Sequence, residues 1–373
     1  MDASTPCPFD FDSNWPCEIV HINDNGRDVH LVTQSFQHER PLDRPTFICL
    51  PDIILDGRTS FQRFLSHPLL KPLFGLGNVV ILNYPHAASP NDGETYDEPY
   101  REYPSFNHLS SLLQLVIGHI TPPGHRILIG AGMGALLANH IATTAPDLVD
   151  GLIMVSPPPL REPMSEVIVS AVAENTMATE SRTAVFPDYL RRRWMDRWFD
   201  QGCKRGLALT SLAEFESWFA TRLPAHTFKF IRCYMNRPMF TPHVSCPTLV
   251  LEGTDTPVNL KMTDFTGIPD IVVVPINGRG LCHLERPRQC SLPLCLFVRT
   301  LMPSLTVPRN MLVAANHNVK TLLPVTFRAV LASVRLRTMA ERARTSAIKG
   351  IDIDRRPWTM DTKTTDVLPD EQA

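Results

Sequence analysis

Chemistry in this chain would have to centre on one glycine-dense segment. Arg126-Ile-Leu-Ile-Gly130-Ala-Gly132-Met133-Gly134-Ala135 reads as an apolar strand, a tight turn and the start of a helix. Only 18 of 373 residues are Gly, against 34 Pro. Three glycines within five positions therefore mark a place where backbone geometry requires them. Two chemistries use such a turn. Gly130-x-Gly132-x-x-Ala135 fits the phosphate-cradling G-x-G-x-x-G/A pattern of dinucleotide sites. That pattern follows the first strand of its unit and needs an acidic residue closing the next strand. Here several strands come first, and the next one ends in Ser156-Pro157, with Asp150 at its opposite end. The second chemistry is acyl transfer from the strained turn G-x-S-x-G. Gly130 and Gly134 match its flanking glycines, and Gly132 stands where the serine would. Glycine accepts that backbone conformation and brings no nucleophile.

The other parts of an α/β-hydrolase triad are missing in the same way. The acid commonly lies three residues after a Gly that closes a late strand. After Thr248-Leu-Val-Leu-Glu-Gly253 that position is Thr256, and Asp255 is one residue early. The histidine segment of many hydrolases resembles G-H-x-x-H-L-E-x-P. Arg279-Gly280-Leu-Cys-His283-Leu284-Glu285-Arg-Pro287 puts Gly280 at the catalytic histidine and His283 at the second, structural one. The oxyanion loop, usually His-Gly, is Pro51-Asp52. Pro51 has no N–H to offer, and Asp52 adds negative charge where an oxyanion would form. Gly132, Thr256 and Gly280 are thus vestigial triad positions, and the expectation is a non-catalytic fold needing no cofactor. Two alternatives stay open. A relocated mechanism would draw on His283, Asp255, Cys282 and Ser156 and needs a nucleophile–His pair within about 3.2 Å. A small-ligand sensor would use the cleft near Asp52 and Met133.

These residues need a sheet to position them. Glu18–His21 and Val29–Val32 flank Asp24-Asn-Gly26, a hairpin signal. Short apolar runs follow at Thr46–Leu50, Asn78–Leu82, Arg126–Ile129, Gly151–Val155, Thr248–Leu251 and Ile271–Val274. Such runs suit strands buried on both faces of a parallel sheet. Helical spacing lies between them, beginning at Tyr103-Pro104-Ser105, with Pro104 in the first turn, and again after Gly134. The pattern predicts a doubly wound, mostly parallel α/β sheet of hydrolase type. Its expected core is 18–156 and 241–305, behind an N-terminal arm at 1–17. An aromatic-rich insertion, 157–240, holds Trp194, Trp198, Phe199, Trp218 and Phe219 and reads as a helical cap. Within it Arg191-Arg192-Arg193 either holds an anion or lines a solvated helix face, the second being preferred.

Composition bounds the rest. The net charge is −2, and 43% of residues are hydrophobic. That argues for a sizeable core and against a protein that coats nucleic acid. Nine cysteines form no C-x-x-C, Cys282, Cys290 and Cys295 near His283 match no common zinc spacing, and no H-E-x-x-H occurs, so no metal is expected. The first residues lack a basic and apolar signal pattern, which points to the cytoplasm, with reduced buried thiols.

The chain also resembles the N-myc downstream-regulated (NDR) family from Glu18 to about Leu305. Arg44-Pro45-Thr-Phe-Ile-Cys-Leu-Pro-Asp52 is similar to its R-P-A-I-L-T-Y-H-D, with Pro51 replacing the His. Tyr103-Pro-Ser-Phe106, Gly130-Ala-Gly-Met-Gly-Ala135, Ala145-Pro-Asp-Leu-Val-Asp-Gly-Leu152, Tyr234-Met-Asn-Arg237 and Cys246-Pro-Thr-Leu-Val-Leu-Glu-Gly253 resemble further family segments, in family order. The resemblance implies a hydrolase-like fold without a working triad. It also implies roles in stress response, differentiation, signalling or vesicle traffic, exercised through protein partners.

Beyond the core, residues 306–349 carry net charge +7 and residues 350–373 carry −3. Phe327, Val330, Leu331 and Val334 recur at helical spacing beside Arg328, Arg335, Arg337, Arg342 and Arg344. A helix docked on the acidic body is the preferred expectation, and contact with an anionic membrane surface is the alternative. Arg342-Ala-Arg344-Thr345-Ser346 resembles the phosphorylated Arg-rich tails of the NDR family, which implies Thr345 and Ser346 as phosphorylation sites. The acidic end is expected to be disordered.

Overall fold

Eight strands form one sheet, in the order β1-β2-β4-β3-β5-β6-β7-β8. The structure, a computed structural model, describes residues 17–24, 27–36, 44–52, 55–84, 104–121, 124–159, 188–199, 231–238, 243–255 and 270–303. It also describes Phe215, Ile268 and Leu305 singly. Thr256, the basic segment 306–349 with its arginines and Thr345 and Ser346, and the acidic end 350–373 lie outside the described residues.

The hairpin β1 (Cys17–Asp24) and β2 (Arg27–Phe36) pairs antiparallel from Cys17↔Gln34 to Asp24↔Arg27. Both strands run further than the four-residue cores expected. β2 joins the sheet antiparallel to β4 (Asn78–Leu82). β4, β3 (Thr46–Leu50), β5 (Arg126–Ala131), β6 (Gly151–Val155), β7 (Thr248–Gly253) and β8 (Ile271–Ile276) are all parallel. Every residue of β3, β4 and β6 is buried. This is the signature of strands covered on both faces. β8 departs from that expectation. It is the edge strand, Ile271, Val272 and Val273 are half-exposed, and Pro275 is exposed. Proline is tolerated there because an edge leaves its missing N–H unneeded.

Helices pack on the sheet through apolar stripes and are fixed by caps. α1 (Gly57–Leu65) begins at Asp56, whose carboxylate accepts the Thr59 N–H at 2.6 Å. After α2 (Lys71–Phe74), α3 (Phe106–Ile120) begins at Ser105, whose hydroxyl accepts the His108 N–H at 3.3 Å. Pro104 therefore precedes the cap instead of lying in the first turn. The hydroxyl, a better N-terminal partner for orphan amides, sets the boundary. Phe106, Leu109, Leu112, Leu113, Val116 and Ile117 form the buried stripe. α4 (Met133–Thr144) starts immediately after Gly132 and is buried on most sides, as suits a helix against the sheet centre. α5 (Asp188–Trp198) belongs to the cap segment, and residues 231–235 are also helical. α6 (Cys282–Glu285) and α7 (Pro287–Leu301) close the core. The carboxyl ends of β3, β5, β6, β7 and β8 thus deliver Asp52, Gly132, Ser156, Asp255 and Gly280 to one edge, where open α/β sheets place their sites.

Candidate functional site

The elbow has the geometry of a nucleophile turn. Gly132 has φ 52° and ψ −118° between β5 and α4. Its N–H donates to the Val155 carbonyl at 3.0 Å and its carbonyl accepts the Ala135 N–H at 3.0 Å. At Gly130 and Gly134 close approach excludes a side chain. A Cβ would strike backbone of α4 in the first case and the Leu50 and Pro51 carbonyls in the second.

What occupies this turn is the carboxylate of Asp52. In an acyl-transfer elbow the N–H of the residue after the nucleophile points at the developing oxyanion. Here that donor, Met133 N–H, gives its hydrogen bond to Asp52 Oδ1 at 2.7 Å. A Cβ built on Gly132 would overlap the same carboxylate. The space of a nucleophile and the space of its oxyanion are both taken. Asp52 is only 2% exposed, and the Trp198 indole Nε1–H reaches it from the cap, donating to Oδ2 at 2.8 Å. Next to it the Tyr84 hydroxyl donates to the Pro51 carbonyl at 2.7 Å. Burial pushes the Tyr84 phenol well above its ordinary range, and the Asp52 charge and Cys233 push it further. It is therefore a neutral donor.

The cap is strapped down at a second point. Trp198 is fully buried, with Trp194 and Phe215 as ring neighbours at 5.6 and 6.0 Å. The last carbonyls of α5 are met by the loop where a hydrolase carries its histidine. Gly280 N–H donates to Arg197 O at 3.1 Å and Leu281 N–H to Trp198 O at 3.1 Å, while the Arg279 guanidinium donates to Asp196 O. The loop has become a C-terminal helix cap. A Cβ on Gly280 would lie 2.8 Å from the Arg197 carbonyl oxygen. Ser156 holds the loop from beneath. Its hydroxyl donates to Arg279 O at 3.1 Å and accepts the Gly253 N–H at 3.3 Å. It does so from φ 40°, a left-handed conformation not found at any other non-glycine among the described residues. Arg279 N–H is fixed in turn by Glu285 Oε2 at 2.7 Å.

Farther out, Arg197 Nη2 donates to the Tyr234 hydroxyl at 2.8 Å and its guanidinium lies over Trp194. Arg237 covers the Tyr234 ring at 4.2 Å and donates to the carbonyls of Tyr234 and Pro159. The Tyr234-to-Arg237 segment noted in the sequence thus joins α5 to the end of β6. Arg192 is exposed, and Arg191 and Arg193 are half-exposed.

Of the four residues of a relocated mechanism, only Ser156 and Cys282 are joined by a side-chain contact among the described residues. Asp255 is exposed, and its N–H donates to the Gly278 carbonyl at 2.9 Å. His283 turns away from the cleft towards α1. Its Nε2–H donates to Ser60 O at 2.9 Å, and its ring lies 5.6 Å from Phe61 and 5.2 Å from Phe64. Burial lowers its pKa to about 4, so it is neutral. Ser156 Oγ does lie 3.3 Å from Cys282 Sγ. Burial pushes that thiol up to about 12, although the His283 backbone hydrogen-bonds to it, and no side-chain hydrogen bond among the described residues joins Ser156 or Cys282 to the His283 ring. At the place foreseen for a ligand cleft, near Asp52 and Met133, the Trp198 indole donates to Asp52. In the sequence Trp198 stands only as one of the cap aromatics, and nothing there marks Arg279 as a strap. The available signal was the aromatic density of the cap.

Six described cysteines are buried and free, and no cluster of metal-ligating side chains occurs among the described residues. No helix of the described residues is long and apolar enough to cross a membrane.

Comparison with known proteins bears on the family and the fold. A model of the Ndr family matches residues 20–299. An NDRG-like protein of Dictyostelium discoideum is 25% identical over 145 residues, 39% of this chain and 43% of that protein. The match therefore spans less than half of that relative. Among solved structures, a thermophilic esterase from Thermogutta terrifontis superposes with TM-score 0.59 at 18% identity, covering 76% of this chain and 99% of the esterase. An enol-lactonase from Burkholderia xenovorans LB400 gives 0.58 at 14% identity, covering 75% and 99%. At these identities the likeness is one of fold, the α/β-hydrolase fold.

Proposed function

Since the chain belongs to the Ndr family, we propose that its hydrolase-type cleft serves as an internal contact and that the protein works as a non-catalytic interaction module. One observation carries this proposal. The amide that would stabilise an oxyanion is spent on Asp52, in the space a nucleophile would need. A carboxylate held there repels a developing oxyanion and blocks its donor. The fully buried Trp198 keeps substrate from the same point. Work is then left to surfaces, in signalling, stress response or trafficking with protein partners in the cytoplasm. The basic segment 306–349, net +7, carries the alternative contact with anionic surfaces.

The test is labelling and turnover by the purified full chain. A fluorophosphonate probe should label it no more than the heat-denatured control, and short p-nitrophenyl esters should not turn over. Turnover that disappears on mutating a residue of the cleft would overturn the proposal. Deleting residues 320–373 should lower flotation with anionic liposomes, and equal flotation would remove the membrane contact.

A further inference from the structure

We propose that the elbow is a carboxylate socket, built from the Met133 amide, the Trp198 indole and the bare floor of Gly132, which Asp52 fills from within the chain. This rests on the plugged cleft proposed above and names the ligand chemistry of that site. The two donors address opposite oxygens of one carboxylate, 2.7 Å to Oδ1 from the body and 2.8 Å to Oδ2 from the cap. Two N–H groups on the two oxygens of a charged group form a strong, geometrically selective pair. The donors come from elements 65 residues apart in sequence, so the socket exists only when α5 is closed. The indole is fully buried and aimed at this point, independently of the amide at the start of α4. Gly132 makes room, since a Cβ would fall within the carboxylate.

Recognition of this kind belongs to the carboxylate group and not to the aspartate that carries it. In the intact protein Asp52 is tethered and outcompetes free acids through its effective concentration. Removing its side chain takes the carboxylate from both donors and leaves the space that the carboxylate held. Formate or acetate should then enter, re-pair both donors and draw the cap closed.

The experiment compares the full chain with Asp52→Ala. Formate and acetate should raise the thermal midpoint of D52A saturably, by roughly 2–4 °C near tenfold excess over the dissociation constant. Acetamide and chloride at matched concentration should not, and the intact protein should not respond. Adding Trp198→Phe should abolish most of the response by removing one donor. A folded D52A that is indifferent to carboxylates, or equally raised by acetamide or chloride, would overturn the socket. If D52A does not fold, the Trp198 indole N–H resonance is compared between the intact chain and D52N, which fills the space without the charge. A shifted resonance supports the socket and an unmoved one overturns it. Ester turnover by the intact chain would overturn the non-catalytic proposal while leaving this rescue untouched, so the two failures are distinguishable.

Discussion

Gly132 and Gly280 align with the nucleophile and histidine positions of hydrolase motifs, and each is crowded for a different reason. Gly132 is held at φ 52°, and a side chain there would meet the carboxylate of Asp52 from the same body of the molecule. Gly280 has no positive φ and meets only the carbonyl of Arg197 at the end of the cap helix. The first is fixed by backbone conformation and a buried carboxylate, the second by the approach of the end of α5. Glycine at each place leaves room for a contact that a side chain there would press against. Restoring the side chains should therefore loosen the protein before it restores any reaction.

The contrast can be broken in order of expected cost. Gly132→Ala should be the most damaging, by about 4 kcal/mol in urea unfolding, combining left-handed strain with overpacking against Asp52. A cost near that of an ordinary exposed substitution would remove the difference between the two glycines.

The Gly280 loop continues into α6, and His283 anchors α6 on α1. The His283 pKa is about 4 when folded, against 6.5 ordinarily. The unfolded chain binds the extra proton between those values, so folding is at full strength above about pH 6.5 and weakens as pH falls towards 4. The loss amounts to about 3 kcal/mol at most. His283→Gln should flatten that acid limb in stability measured against pH, and an unchanged limb would detach His283 from it.

Trp198 touches both places, through its indole at Asp52 and its carbonyl at Leu281. Trp198→Phe keeps the backbone strap and most of the packing but leaves a buried carboxylate short of a donor. Its expected cost is about 2 kcal/mol. Protection of the α5 amides in hydrogen exchange should fall with it.

Gly280→Ala should cost least, about 1–2 kcal/mol, because no left-handed strain adds to its clash with the Arg197 carbonyl, a backbone group that has to shift. Its signature is local: faster exchange and proteolysis in α5 with the elbow unchanged. A global loss as large as at Gly132 would show that the cap and the elbow are one unit.

Much of this arrangement is written locally. Thr46–Leu50, Asn78–Leu82 and Gly151–Val155 have the boundaries their apolar runs imply, since a strand buried on both faces has no other pattern to follow. The Gly130–Gly134 turn is legible for the same reason, as sharp turns demand particular residues. The charge of Asp52 at the oxyanion position is legible by alignment with hydrolase motifs. Its donor from the cap is not. Trp198 lies 146 residues further along the chain, and nothing in either neighbourhood says that an indole N–H and a carboxylate meet. The cap strap is hidden likewise. It uses backbone amides of Gly280 and Leu281, which carry no side-chain signature. The sequence reads His283 as a structural histidine, and its burial between Phe61 and Phe64 depends on how α6 packs on α1.

The central claim is that Asp52 occupies the place of the missing nucleophile. A double-mutant cycle between Gly132→Ala and Asp52→Gly tests it most directly. If the carboxylate fills that space, removing it should relieve the alanine, and the two costs should couple by about 2 kcal/mol, with the double variant more stable than the sum of the singles implies. Costs that simply add would contradict the account and place Asp52 elsewhere.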